Sequence, residues 1–67
     1  MDALRAARKQ IADENGVAPF VVFHDATLIG MIDARPRDLN EMLEITGIGQ
    51  AKLQKYGQRF LEVLAQH

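Results

Sequence analysis

Three kinds of residue in this chain bear on chemistry: two glycines around an apolar residue, a scatter of cations near both ends, and an exposed-or-buried aromatic beside a proline. The first is the densest signal. In Leu43-Glu44-Ile45-Thr46-Gly47-Ile48-Gly49-Gln50-Ala51-Lys52-Leu53 one apolar-patterned segment ends and another begins with a lysine in its first turn. Glycines at Gly47 and Gly49 let the backbone turn sharply and come close to a partner, while Ile48 between them can anchor the turn. Unpaired amides at the start of the following helix can donate to a phosphate oxygen, and Lys52 adds charge nearby. That is the logic of a helix-hairpin-helix contact to a nucleic-acid backbone. The same spacing also fits a tight interhelical turn whose glycines serve geometry alone, and spacing does not choose between the two.

Catalytic constellations are missing. The chain has no serine and no cysteine, and its two histidines, His24 and His67, stand far apart. No histidine, cysteine or carboxylate set has metal-ligand spacing. Gly47-Ile48-Gly49 lacks the later glycine and the lysine-serine/threonine pair of a nucleotide loop. Asp25, Asp38 and Glu41 read as helix caps, and the other acids as solvated faces. The expectation is a non-enzymatic domain with no catalytic residue, no metal and no cofactor of its own.

Sixty-seven residues at 48% hydrophobic and 25% charged describe one small globular domain over residues 1–67. A chain this short buries roughly 60% of its unfolded surface. The absence of cysteine excludes a disulfide scaffold. The longest apolar run, Val17 to Phe23, is too short to cross a bilayer, so a cytoplasmic setting without membrane contact is expected. The net charge of −1 hides a pattern: residues 1–12 carry +2, residues 13–44 carry −5 and residues 45–67 carry +2. Any anionic partner belongs at the ends.

The elements that must position these groups are helical. Leu4, Ala7 and Ile11 recur at helical spacing over about residues 3–15, with Asn15-Gly16 as a stop. Val17 to Phe23 looks locally like a strand, but no second β-rich run exists to pair with it. It is expected to form an irregular or single-turn 3₁₀ connection whose apolar side chains are core. Asp25 is expected to cap a helix holding Leu28, Ile29 and Ile32, ended by Pro36. Asp38 and Glu41 have capping-box spacing for a short helix with Leu39, Met42 and Leu43. From Gln50, the residues Leu53, Tyr56, Phe60, Leu61 and Leu64 form one stripe, with Lys52, Lys55, Arg59 and Glu62 on another face. Gly57 within it is expected to break the segment in two. The fold class is therefore all-α, a compact bundle of about five short helices with a helix-hairpin-helix-like turn.

Taken in order, Leu4-Arg5, Arg8-Lys9, Ile11-Ala12, Val17-Ala18-Pro19-Phe20-Val21-Val22-Phe23, Asp25-Ala26-Thr27-Leu28, Pro36, Glu41-Met42-Leu43, Gly47-Ile48-Gly49, Lys52-Leu53 and Tyr56-Gly57 closely resemble the HRDC domain, the helicase-and-RNase-D C-terminal module, especially that of bacterial RecQ DNA helicases. The resemblance spans nearly the whole chain. It implies a five-helix bundle, cut from a larger helicase whose ATP- and Mg-dependent motor lies elsewhere, in a bacterial, nucleoid-associated setting. It also implies an auxiliary element, monomeric, that binds single-stranded or branched DNA weakly and tunes substrate choice.

On this sequence the family's aromatic falls on Phe20, its hairpin glycines on Gly47 and Gly49, and its basic positions on Lys52 and Lys55. With Arg8 and Lys9 they make the candidate nucleic-acid-binding set. An exposed ring beside positive charge suits single strands because bases stack on it; the local sequence equally allows Phe20 to be core, and the lysines to be a solvated face. The pI of about 6.0 departs from a basic DNA binder. The alternative reading is an acidic regulatory copy that docks on the helicase core, or on another protein, through Asp33, Asp38, Glu41 and Glu44.

Overall fold

A computed structural model describes residues 2–66. α1 (Asp2–Asn15) turns Leu4, Ile11 and Ala12 inward. Its end follows from Gly16, at φ 66°, which takes the left-handed conformation that lets Val17 N–H reach the Ala12 carbonyl (3.0 Å) and Gly16 N–H the Asp13 carbonyl (3.3 Å). Asn15 Nδ2 donates to the Ile11 carbonyl at 2.8 Å, closing another free acceptor.

The apolar run after α1 forms α2 (Pro19–Val22), a single α-turn rather than the irregular or 3₁₀ connection its sequence suggests. Pro19 enters at the helix start, where its missing N–H costs nothing and its fixed φ suits the helix. A helical turn splits consecutive residues between two sides. Val22 and Phe23 are buried, whereas Phe20 is 60% and Val21 41% exposed, so half of the run expected in the core lies on the surface.

α3 (Asp25–Ala34) buries Thr27, Leu28 and Met31. Asp25 is its first helical residue rather than its cap; His24 occupies the cap position without a side-chain hydrogen bond, because the Asp25 carboxylate is drawn to Arg8. Ile29 is 51% exposed. The helix stops at Arg35, where the following proline disfavours a further helical residue; Arg35 takes the left-handed conformation (φ 47°) instead, with its N–H on the Met31 carbonyl. α4 (Leu39–Leu43) begins at Asp38, whose Oδ1 accepts from Glu41 N–H at 2.9 Å. Glu41 Oε1 reaches past the cap to accept from Arg37 N–H at 2.9 Å.

The last helical run covers residues 50–66 without a break. It comprises α5 (Gln50–Lys52), a π-helical turn (Leu53–Gly57) and α6 (Gln58–Gln66). The break expected at Gly57 does not occur. The wider π turn accommodates the glycine, whose bare backbone faces Leu39 and Leu53; a Cβ there would sit 2.9 Å from Leu39 Cδ2. The described residues thus form five helical bodies and contain no strand. Phe23 is the hub of their shared core, edge-on to Phe60 at 5.2 Å and to Tyr56 at 6.1 Å. Those contacts hold the α2–α3 corner against the last helix, which determines where the exposed half of α2 can lie.

Candidate nucleic-acid interface

Because Phe23 is pinned to Tyr56, the residues just before it are carried up to the start of the last helix. Val21 shares an open groove of about 540 Å³ with Ala51, Lys52, Gln54, Lys55 and Tyr56. Lys55 Nζ stands 6.0 Å from the centre of the Tyr56 ring, within range of a cation–π attraction that steadies the ammonium. On the other side of α2, Phe20 lines an adjoining groove with Arg8, His24 and Asp25. Its ring lies 6.0 Å from that of His24 at 29°, a nearly parallel pair that turns toward solvent.

The residues singled out from sequence fall into two sets. Lys52 and Lys55 share a groove with Val21 of α2, whereas Phe20 lies in a separate groove on the other side of that turn. Arg8 is committed elsewhere: its side chain is 13% exposed, and Nη1 donates to the Phe23 carbonyl (3.0 Å) and pairs with the Asp25 carboxylate (2.7 Å). The hydrogen bond from Arg8, and then its charge, hold the Asp25 carboxyl below the ordinary aspartate range. Lys9 is exposed on α1 and stands 4.0 Å from Asp13 one turn on. Arg59 is likewise occupied, donating to Glu14 from both terminal nitrogens at 2.6 and 3.3 Å. That hydrogen bond lowers the Glu14 pKa and raises that of Arg59.

The two glycines do different work. Gly47, at φ 94°, lies against Thr27, and a Cβ there would fall on the Thr27 hydroxyl, well inside van der Waals contact. Thr27 Oγ1 donates to the Thr46 carbonyl at 3.3 Å, so the turn is tied to α3. Gly49 occupies the cap position of α5 with ordinary φ, and nothing lies within 4 Å of a Cβ built on it. Its backbone is therefore open to approach from outside.

Among the described residues no group of three metal-ligating side chains exists, and no helix is long and apolar enough to cross a membrane. His67 lies outside the described residues. Sequence reasoning missed Val21, Tyr56 and His24 as lining residues. The signal available was the proline at the head of a four-residue turn, which implies that neighbouring apolar residues face opposite sides.

The HRDC domain model matches residues 1–64. The chain belongs to the HRDC domain family. It is 45% identical over 64 residues to an ATP-dependent DNA helicase RecQ of Haemophilus influenzae and 49% identical over 61 residues to that of Bacillus subtilis, covering 96% and 91% of this chain respectively. It spans 10% of the length of each of these helicases. The solved structure of D. radiodurans RecQ HRDC domain 3 superposes with a TM-score of 0.94 at 37% identity, covering 97% of this chain and 86% of that one. An HRDC domain is a non-catalytic accessory domain of RecQ helicases, and the all-helical, five-body architecture is that of the family. The α2 turn and the groove beside Lys52 and Lys55 are therefore features of an accessory domain.

Proposed function

We propose that this HRDC domain is an auxiliary DNA-binding element of a bacterial RecQ-type helicase, holding single-stranded or branched DNA weakly and biasing the choice of substrate. The observation that carries the reading is the exposed α2 turn, whose Val21 shares a groove with Lys52 and Lys55 while the neighbouring Phe20 presents its ring to solvent. A base stacks on the Phe20 ring, for about 1–3 kcal/mol, and the two ammonium groups meet the neighbouring phosphates. The open backbone at Gly49, one residue before the amides of the last helix, extends the phosphate path in the manner of a helix-hairpin-helix. With Arg8 and Arg59 tied to carboxylates and Lys9 beside Asp13, the free positive charge is small. Weak affinity follows. The parent chain supplies the ATP- and Mg-dependent motor in the bacterial cytoplasm, and this domain acts on it as a monomeric module at the DNA.

The test is a titration of the 67-residue chain with labelled single-stranded, duplex and forked DNA at two ionic strengths. Salt-sensitive binding that favours single-stranded or forked DNA over duplex is expected. Absence of any salt-sensitive binding at sub-millimolar concentration overturns the reading.

A further inference from the structure

On the side of α3 that meets the loop after α4, a mostly apolar groove of about 540 Å³ has a floor of small side chains and a rim whose charged residues are all acidic. Ala26, Gly30 and Ala34 follow one another at four-residue spacing on one face of α3, and Ile45 forms the opposite wall. Gly30 makes room for that wall: a Cβ there would stand 3.0 Å from Ile45 Cγ2. Asp33 contributes a carboxylate from one side, Glu41 and Glu44 from the other. No lysine or arginine lines the groove. The two arginines of this acidic stretch, Arg35 and Arg37, instead line grooves against Leu61. Asp38 lies on that other side as well, as the α4 cap.

We propose that this groove docks a short basic amphipathic helix of a polypeptide partner, its apolar edge on the Ala26–Gly30–Ala34 floor and its lysines or arginines on Asp33, Glu41 and Glu44. Two arguments select that occupant. The floor residues themselves carry no branched side chain over a length of about 12 Å, two helical turns, so the apolar edge of a helix can lie along them beside Ile45. The rim attracts only cations, and it repels a nucleic-acid backbone that would otherwise compete. The inference does not depend on the DNA-binding reading, since the groove shares no residue with the Lys52–Lys55 groove and only Ala26 with the Phe20 groove.

The experiment records amide shifts of the ¹⁵N-labelled chain on addition of an unlabelled leucine-alanine-lysine amphipathic peptide of about 14 residues, roughly four turns. Expected are shifts centred on residues 26–34 and 41–46, with affinity falling as salt rises. Reversing the rim in an Asp33→Lys, Glu44→Lys double variant should weaken binding about tenfold or more. Both positions are exposed, so a helical circular-dichroism spectrum is expected to be unchanged. Ala34→Phe, which fills the groove without altering charge, should weaken it as well. Equal binding of a glutamate-for-lysine peptide, shifts centred elsewhere, or insensitivity to both variants overturns the proposal. So does concentration-dependent self-association mapping to the same residues, which assigns the face to a second copy of this chain.

Discussion

Arg8 on α1 and Asp25 at the start of α3 form a 2.7 Å ion pair whose shared nitrogen, Nη1, also donates to the Phe23 carbonyl between α2 and α3. One guanidinium thereby joins three helices at the corner from which Phe23 enters the core. Replacing Arg8 by Met should leave the Phe23 carbonyl unpaired and destabilise the domain by about 1–3 kcal/mol near neutrality. The pH dependence has a definite sign. The folded pKa of Asp25 is lowered, so its contribution is complete above the unfolded aspartate value of about 3.9 and is lost as pH falls through the folded one. Urea denaturation at a series of pH values should therefore show the wild-type and Arg8→Met stabilities drawing together below about pH 4. A residual gap should remain, because the bond to the Phe23 carbonyl does not titrate.

The hairpin glycines are predicted to respond in opposite ways. Gly47→Ala places a methyl on the Thr27 hydroxyl and holds a side chain at φ 94°. The strain and the clash together should cost about 2–4 kcal/mol, read as a drop in the urea midpoint at constant m-value. Gly49→Ala meets nothing within 4 Å and should leave stability within about 0.5 kcal/mol of wild type. If the Gly49 backbone carries a phosphate, the same variant should still lower DNA affinity.

Gly57 offers a case where two effects of similar size oppose each other. Alanine in a helix is favoured over glycine by about 1 kcal/mol. A Cβ at this position would crowd Leu39 Cδ2 at 2.9 Å and Leu53 Cδ1 at 3.0 Å, both ends of flexible side chains, of which Leu39 is partly exposed and free to turn aside. Gly57→Ala should consequently change stability by less than about 1 kcal/mol in either direction. Gly57→Val, with two further branches against the buried Leu53, should destabilise by about 2 kcal/mol or more. Thermal denaturation of the two variants distinguishes these outcomes.

The helical order of the chain was legible because its stops are local chemistry: Asn15-Gly16, Pro36 and the Asp38–Glu41 spacing each act within a few residues. Two features were not legible, and both depend on the third dimension. The run Pro19–Val22 reads as core because all its residues are apolar, and only packing of Val22 and Phe23 against the last helix reveals that Phe20 and Val21 face outward. At Gly57 a propensity argument favours a break, but Leu39 and Leu53 pack where a Cβ would be, so the glycine serves close approach within a continuous π-turn. The fate of the cations was equally hidden. Arg8 and Lys9 are neighbours in sequence, yet one is bound to Asp25 and a carbonyl while the other stays in solvent. Formal charge counted along the chain says nothing of which guanidinium is already satisfied.

That last distinction yields a quantitative prediction for DNA. Four cations, Arg8, Lys9, Lys52 and Lys55, at a slope of about −0.7 per phosphate on single strands would give a log–log salt dependence near −3. With only Lys52 and Lys55 beside the exposed α2 turn, the slope should be nearer −1.4, and each of Lys52→Gln and Lys55→Gln should reduce its magnitude by about 0.7. Phe20→Ala should act differently: it removes a stacking face worth about 1–3 kcal/mol and lowers affinity by roughly 5- to 150-fold, leaving the slope unchanged because no charge is lost. Since Phe20 is mostly in solvent, its loss should barely move the melting temperature, so weakened binding cannot be ascribed to unfolding. Fluorescence anisotropy with a single-stranded oligonucleotide at four or five salt concentrations resolves both quantities. A slope that responds to Arg8→Gln as strongly as to Lys52→Gln would mean that the Arg8–Asp25 pair opens on DNA, and the phosphate path would then have to run across α1 instead of the last helix.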